Sequence, residues 1–173
     1  MAAAIVVQLG LGWGMNHLLP EQSVGHARAI AIHVALGLSL MLLALLRVMV
    51  RLTGALAPSS RDQPEPERRA AAVTHALLYG LVFALPLTGW IMVSTRRAEV
   101  RFWGLPWPKI PGLGFMIGPE HLALRHALKV MHADVLAWLL VSAIALHVAG
   151  AIKHQFDGRP VLWRMLPAGK RGE

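Results

Sequence analysis

Nine histidines stand in this chain of 173 residues, as many as its aspartates and glutamates together. A neutral imidazole is a metal ligand, and it is the side chain whose charge changes near neutral pH. What nine of them can do depends on where they fall. With every Asp, Glu, Lys and Arg struck out, four long uninterrupted stretches remain: residues 1–20, 29–46, 70–95 and 135–152. The last extends backwards through one polar turn to His126. His33, His75 and His147 lie in or at the ends of these stretches, and His132 lies one turn before the fourth. A helix that spans a membrane needs about 20 predominantly apolar residues, and a histidine within such a span is costly enough to mark a functional site by default.

The spacing says more. His132 and His147 are fifteen residues apart. At about 100° per residue they leave one helix within roughly 60° of each other, and they stand about 22 Å apart along its axis. That is too far for one metal ion and suits two sites at opposite membrane depths. The second and fourth stretches run in the same direction, and His33 and His132 both sit near the start of theirs. They share one level on the outer side, where two imidazoles facing across a bundle suit the axial positions of one haem. His147, near the inner end, needs an inner-side partner, and the third stretch offers His75. For His75, ligation and a simple interfacial position weigh equally, because it closely follows a basic loop. His17, His26 and His121 read as solvated loop residues. His126 falls about 120° from His132 and does not extend the ligand face. His154 lies on the face of His147, at headgroup level.

These residues must be positioned by a membrane bundle. Hydrophobic residues make up 55% of the chain and charged residues 15%, against about 25% charge in ordinary soluble domains. The mean hydropathy is +0.52. Such a chain has ample apolar surface to bury, which excludes disorder. The absence of cysteine excludes disulfide scaffolds, iron–sulfur clusters and thiol nucleophiles. A net charge of +8 raises nucleic acid as a partner, but the basic residues cluster between apolar runs, as membrane-flanking charges do. Lipid admits only helices or closed barrels, and solid apolar runs are not the alternating pattern of barrel strands. The expectation is an all-α integral membrane four-helix bundle, one domain over 1–173, with helices at about 1–19, 27–52, 70–95 and 122–155.

The joints agree with that expectation. Residues 20–25 form a short turn, and 57–69 (APSSRDQPEPERR) a solvated loop. Residues 96–120, with Trp103 and Trp107, read as an interfacial segment. Pro86 lies inside the third helix. With the N-terminus inside, ten Lys and Arg fall on the inner side and seven on the outer, which favours cytoplasmic termini. Gly37 and Gly89 leave room for a macrocycle or for close helix packing. Arg47 and Arg51, and Arg125 and Lys129, are placed either to pair with haem propionates or merely to flank the membrane.

The runs AIHVALG, HALLYGLVFALPLTGW and MHADVLAWLLVSAIALHVAGAIKHQFDGRPVLWRMLP resemble the bacterial cytochrome b561 family, related to the b-type cytochrome subunits of membrane hydrogenases. The resemblance covers essentially all of the chain after the first helix. It implies four helices holding two b-type haems, with His33 and His132 matching the ligands of one and His147 one ligand of the other. It also implies electron transfer near the quinone pool in a bacterial inner membrane, in contact with lipid and with a redox partner protein. The family's remaining ligand lies at the start of the first helix. This sequence opens MAAAIVV, with neither that histidine nor a basic lead-in; the expectation is that a start upstream of Met1 supplies both, the alternative being an incomplete second haem. The alternatives are a haem-bearing anchor subunit of a larger oxidoreductase, or a histidine-lined metal or proton transporter. A transporter wants carboxylates within its spans, and the four stretches hold none.

Overall fold

The computed structural model describes residues 1–53 and 65–156, the side chain of His154 excepted. The basic tail after 156, Arg61 and the RMLP sequence lie outside the described residues. Four helical rods form a bundle. The first is α1 (Ala2–His17), the second α2 (Val24–Leu52) and the third α3 (Glu65–Ser94). The fourth is continuous from Leu122 to Phe156, made of α4 (Leu122–Val130), one π-helical turn (Met131–Leu136) and α5 (Ala137–Phe156).

Helix α2 begins where Ser23 caps it, the hydroxyl accepting from the His26 amide at 3.0 Å, as serine does at an N-cap. It buries Ala29, Ala35, Gly37, Leu38, Leu40 and Ala44. Small residues at such contacts let backbones approach closely. Leu81 of α3 meets Leu140 and Ala143 of α5, and Ile5 and Leu9 of α1 close over them. Elsewhere the apolar side chains point outward: Val6, Leu52, Val73 and Leu146 are each more than 60% exposed. A soluble monomer does not present apolar surface on this scale, and the bundle presents it to lipid.

Three helical stretches are long and apolar enough to cross a membrane: Val24–Leu52, Glu65–Ser94 and Pro119–Lys153. Helix α1, with 16 residues, is about 24 Å long and falls short of the roughly 30 Å hydrocarbon core. The expected four spans are therefore met by three on length. Helix α3 starts five residues earlier than expected, within the stretch read as loop. Glu65 pairs with Arg68 and Arg69 one turn on, and Glu67 accepts from Lys153 of α5 at 2.8 Å. These i,i+3 and i,i+4 pairs support a polar helical extension, and Pro66 sits in the first turn, where proline is tolerated.

Residues 96–121, expected as an interfacial segment, contain a hairpin and short helical turns. Strands β1 (Val100–Phe102) and β2 (Leu105–Trp107) form an antiparallel hairpin. Its two-residue turn is Trp103–Gly104, with φ of +51° and +90°. Two positive φ values suit the twist of a tight hairpin. The Trp103 indole N–H donates to Ser39 Oγ of α2 at 3.0 Å, and that of Trp90 to the Pro108 carbonyl at 2.9 Å. Lys109 Nζ donates to the Arg96 carbonyl at 2.6 Å. The connection is thus stitched to α2 and to the end of α3.

Candidate haem site

His33 comes from α2 and His132 from the π turn. Their ring centroids are 6.2 Å apart and their planes cross at 81°. A π turn takes in one residue more than the α-helix it replaces, and such turns recur at functional sites. The fifteen residues from His132 to His147 then turn through about 1400° rather than 1500°, which still leaves both rings on one side of the rod.

Each ring rests against a glycine. A Cβ placed on Gly12 of α1 would meet His33 Cε1 at 3.0 Å, and one on Gly89 of α3 would meet His132 Cε1 at 3.2 Å. Of the two uses open to small residues here, Gly89 makes room for a ring. Gly37 instead admits the Gln8 side chain of α1, which would lie 3.0 Å from an added Cβ. Gln8 Nε2 donates to the His33 carbonyl at 2.9 Å, tying α1 to the histidine's own backbone. His132 Nδ1 lies 2.9 Å from the Thr88 hydroxyl. His33 Nδ1 is buried without a hydrogen-bond partner.

The two rings line a cavity of about 760 Å³ between the four rods. Leu9, Val82, Leu85, Pro86 and Leu140 supply apolar walls, and Asn16, His17, His126, Lys129 and Asp134 supply polar groups. His17 is not a loop residue. It ends α1, stacks on Trp13 at 5.0 Å and bonds the Trp13 carbonyl through Nδ1 at 2.9 Å. His126, though off the ligand face, also borders the cavity.

The second pair lies elsewhere in the bundle. The rings of His75 on α3 and His147 on α5 are 5.2 Å apart, crossing at 61°. One turn beyond His75, the Tyr79 hydroxyl accepts from Arg47 Nε at 3.1 Å, and Arg51 stands 5.9 Å over the Tyr79 ring. Both arginines therefore bridge α2 to α3. His26 begins α2 away from both pairs, and His121 packs edge-on against Phe115.

The model of the prokaryotic cytochrome b561 family matches residues 1–168. The chain belongs to that family. It is a multi-pass bacterial membrane protein of a b-type cytochrome family, and membership implies b-type haem. The residues at His33 and His132 fit that group. Two imidazoles sharing one metal ion, each about 2 Å from it, stand with centroids about 6 Å apart, as these two do. The partnerless His33 Nδ1, the glycines beneath both rings and the apolar cavity complete the fit. Pockets for cofactors commonly measure about 300–1,000 Å³. His75 and His147 are about 1 Å closer than a shared metal ion requires. Among the described residues no cluster of three or more His, Cys, Asp or Glu gathers as a metal site, so facing pairs are the donor sets this b561-family chain offers there. Sequence reasoning passed over Thr88, Gly12 and Gln8. The Thr-Gly pair that follows Pro86 after Leu87 was the available signal for the first.

Proposed function

We propose that this chain is a di-haem membrane cytochrome that passes electrons to or from the quinone pool of a bacterial respiratory chain. His33 and His132 would hold one haem b, and His147 would supply one ligand of the second. The observation that carries the reading is the His33–His132 pair, 6.2 Å apart across an apolar cavity.

Haem supplies one-electron redox chemistry, tuned by its axial ligands, their hydrogen bonds and burial. His33 from α2 and His132 from the π turn would hold the group, and a pair of imidazole ligands would suit electron transfer rather than oxygen activation. The apolar walls from Val82 to Leu140 keep water away from the rings. Lys129, His126 and His17 border the cavity, and cationic or N–H donors of this kind suit carboxylates such as propionates. Arg47 and Arg51 supply cationic groups on the side of His75. The α1 rod completes the bundle as its fourth span, with both termini in the cytoplasm of an inner-membrane protein.

A reduced-minus-oxidised spectrum of the purified chain tests the reading. A b-type α-band is expected, and His33→Ala and His132→Ala should each remove one haem and leave the other. A colourless protein would favour the histidine-lined transporter, and full haem content in His33→Ala would remove the site assignment.

A further inference from the structure

The two rings of the cavity are held differently. His33 Nδ1 is buried and partnerless, whereas His132 Nδ1 lies 2.9 Å from Thr88 Oγ1. The same Thr88 oxygen lies 2.8 Å from the Ala84 carbonyl and 2.9 Å from the Leu85 carbonyl. A hydroxyl has one proton to donate and two lone pairs that accept. Carbonyl oxygens only accept, so the arrangement is satisfied when the hydroxyl donates back to the helix. Its lone pair is then left for an N–H. Were the proton instead turned towards His132, hydroxyl lone pairs would face two carbonyl oxygens at under 3 Å with nothing between them.

We propose that Thr88 is the positioning residue of His132. Its hydroxyl, anchored to the α3 carbonyls, accepts the Nδ1–H and fixes the tautomer whose Nε2 carries the free lone pair. Hydrogen bonds to the remote nitrogen of a ligating histidine orient the ring and raise its basicity. His132 is thus the oriented, more electron-donating member of the pair, and His33 the ring set by packing against Gly12. Gly89 follows Thr88 directly and lies under the same ring, so adjacent α3 residues set its contact and its tautomer. The inference rests on the reading of His132 as a haem ligand, and its first test does not need haem.

Nitrogen-15 NMR of histidine-labelled, haem-free chain reads the tautomer directly. His132, assigned by loss of its signal in His132→Ala, should be in the Nδ1–H form in the native chain. A single hydrogen bond, worth about 1 kcal/mol, holds that form roughly fivefold more strongly than in Thr88→Val, which keeps the shape without the hydroxyl. Thr88→Ser should restore it. In the haem-loaded protein, Thr88→Val should raise the midpoint potential of one haem and shift its ferric low-spin electron paramagnetic resonance signal. Thr88→Ser should match the native chain. Should Thr88→Val fail to accumulate, Thr88→Ala serves the same comparison. An Nε2–H form of His132 in the native chain, or serine and valine variants that behave alike in either measurement, overturns the proposal. A native chain that shows the Nδ1–H form yet takes up no haem supports the hydrogen bond and refutes the haem reading instead.

Discussion

Gly12 offers the sharpest perturbation of the cavity. An alanine there puts its Cβ 3.0 Å from His33 Cε1, whereas carbon atoms rest about 3.5–4.0 Å apart, so the ring must retreat by roughly 0.5 Å or more. Overpacking of this kind costs about 1–3 kcal/mol. Exchanging glycine for alanine within a helix returns about 0.5–1 kcal/mol, so global stability falls by at most about 2.5 kcal/mol and the bundle still forms. The ring is affected more than the fold, because ligand geometry must be held to within about 0.5 Å. Gly12→Ala should therefore fold and yet bind one haem at least about tenfold more weakly, the range seen when support around a ligand is lost. Gly80→Ala is the control, since nothing lies within 4 Å of a Cβ added there. It should keep full haem and unfold at a slightly higher temperature. Titrating haem into the purified, haem-free variants, followed by the reduced α-band, gives the affinities. Equal affinities in Gly12→Ala and Gly80→Ala would refute the idea that ring and glycine are in working contact.

Three further outcomes follow from the same contacts. Gln8→Leu loses the bond to the His33 carbonyl but also removes a buried, partnerless Oε1. Since hydrogen bonds between membrane helices average about 0.6 kcal/mol, thermal unfolding should shift little in Gln8→Leu and clearly further in Gln8→Ala, which adds a cavity. Gly104 has a φ of +90°, so Gly104→Ala costs about 1–2 kcal/mol locally, and amide exchange over residues 100–107 should quicken while the spectrum stays unchanged. Reporter fusions after Thr53 and after Phe156 should report the same cytoplasmic side and a fusion at Gly104 the opposite one; opposite faces for the first two would contradict the proposed orientation.

The helices were legible in the sequence because apolar runs free of charge are hard to read in any other way. Depth alone brought His33 to the level of His132, and their rings do lie 6.2 Å apart. Other features were illegible for identifiable reasons. The π turn at Met131–Leu136 leaves no mark on a pattern counted at 3.6 residues per turn. Residues 65–69 look like loop by composition, but the pairing of Glu65 with Arg68 and Arg69 and of Glu67 with Lys153 supports them as helix. The hairpin was hidden by its tryptophans, which suggested an interface, although a two-residue turn ending in glycine was present at Trp103–Gly104. His17 was set aside as a solvated loop residue although the expected first helix ran to about residue 19, and it stacks on Trp13 within α1. Thr88 was missed because a threonine in a membrane helix ordinarily bonds back to its own turn, and this one does so while also reaching His132.

The π turn also separates two requirements that a uniform helix would tie together. In an unbroken α-helix, moving His132 by one position swings it about 100° and drags the register of everything beyond it. A turn holding one surplus residue acts as a local phase adjuster: deleting a residue within 131–136 would restore plain α-helix and re-aim the segment before it, leaving Leu140, Ala143 and His147 seated against α3. The first part of this rod can therefore drift in sequence and length independently of the rest, and a change in the number of residues there would re-aim His132 without disturbing the facing of His147 and His75.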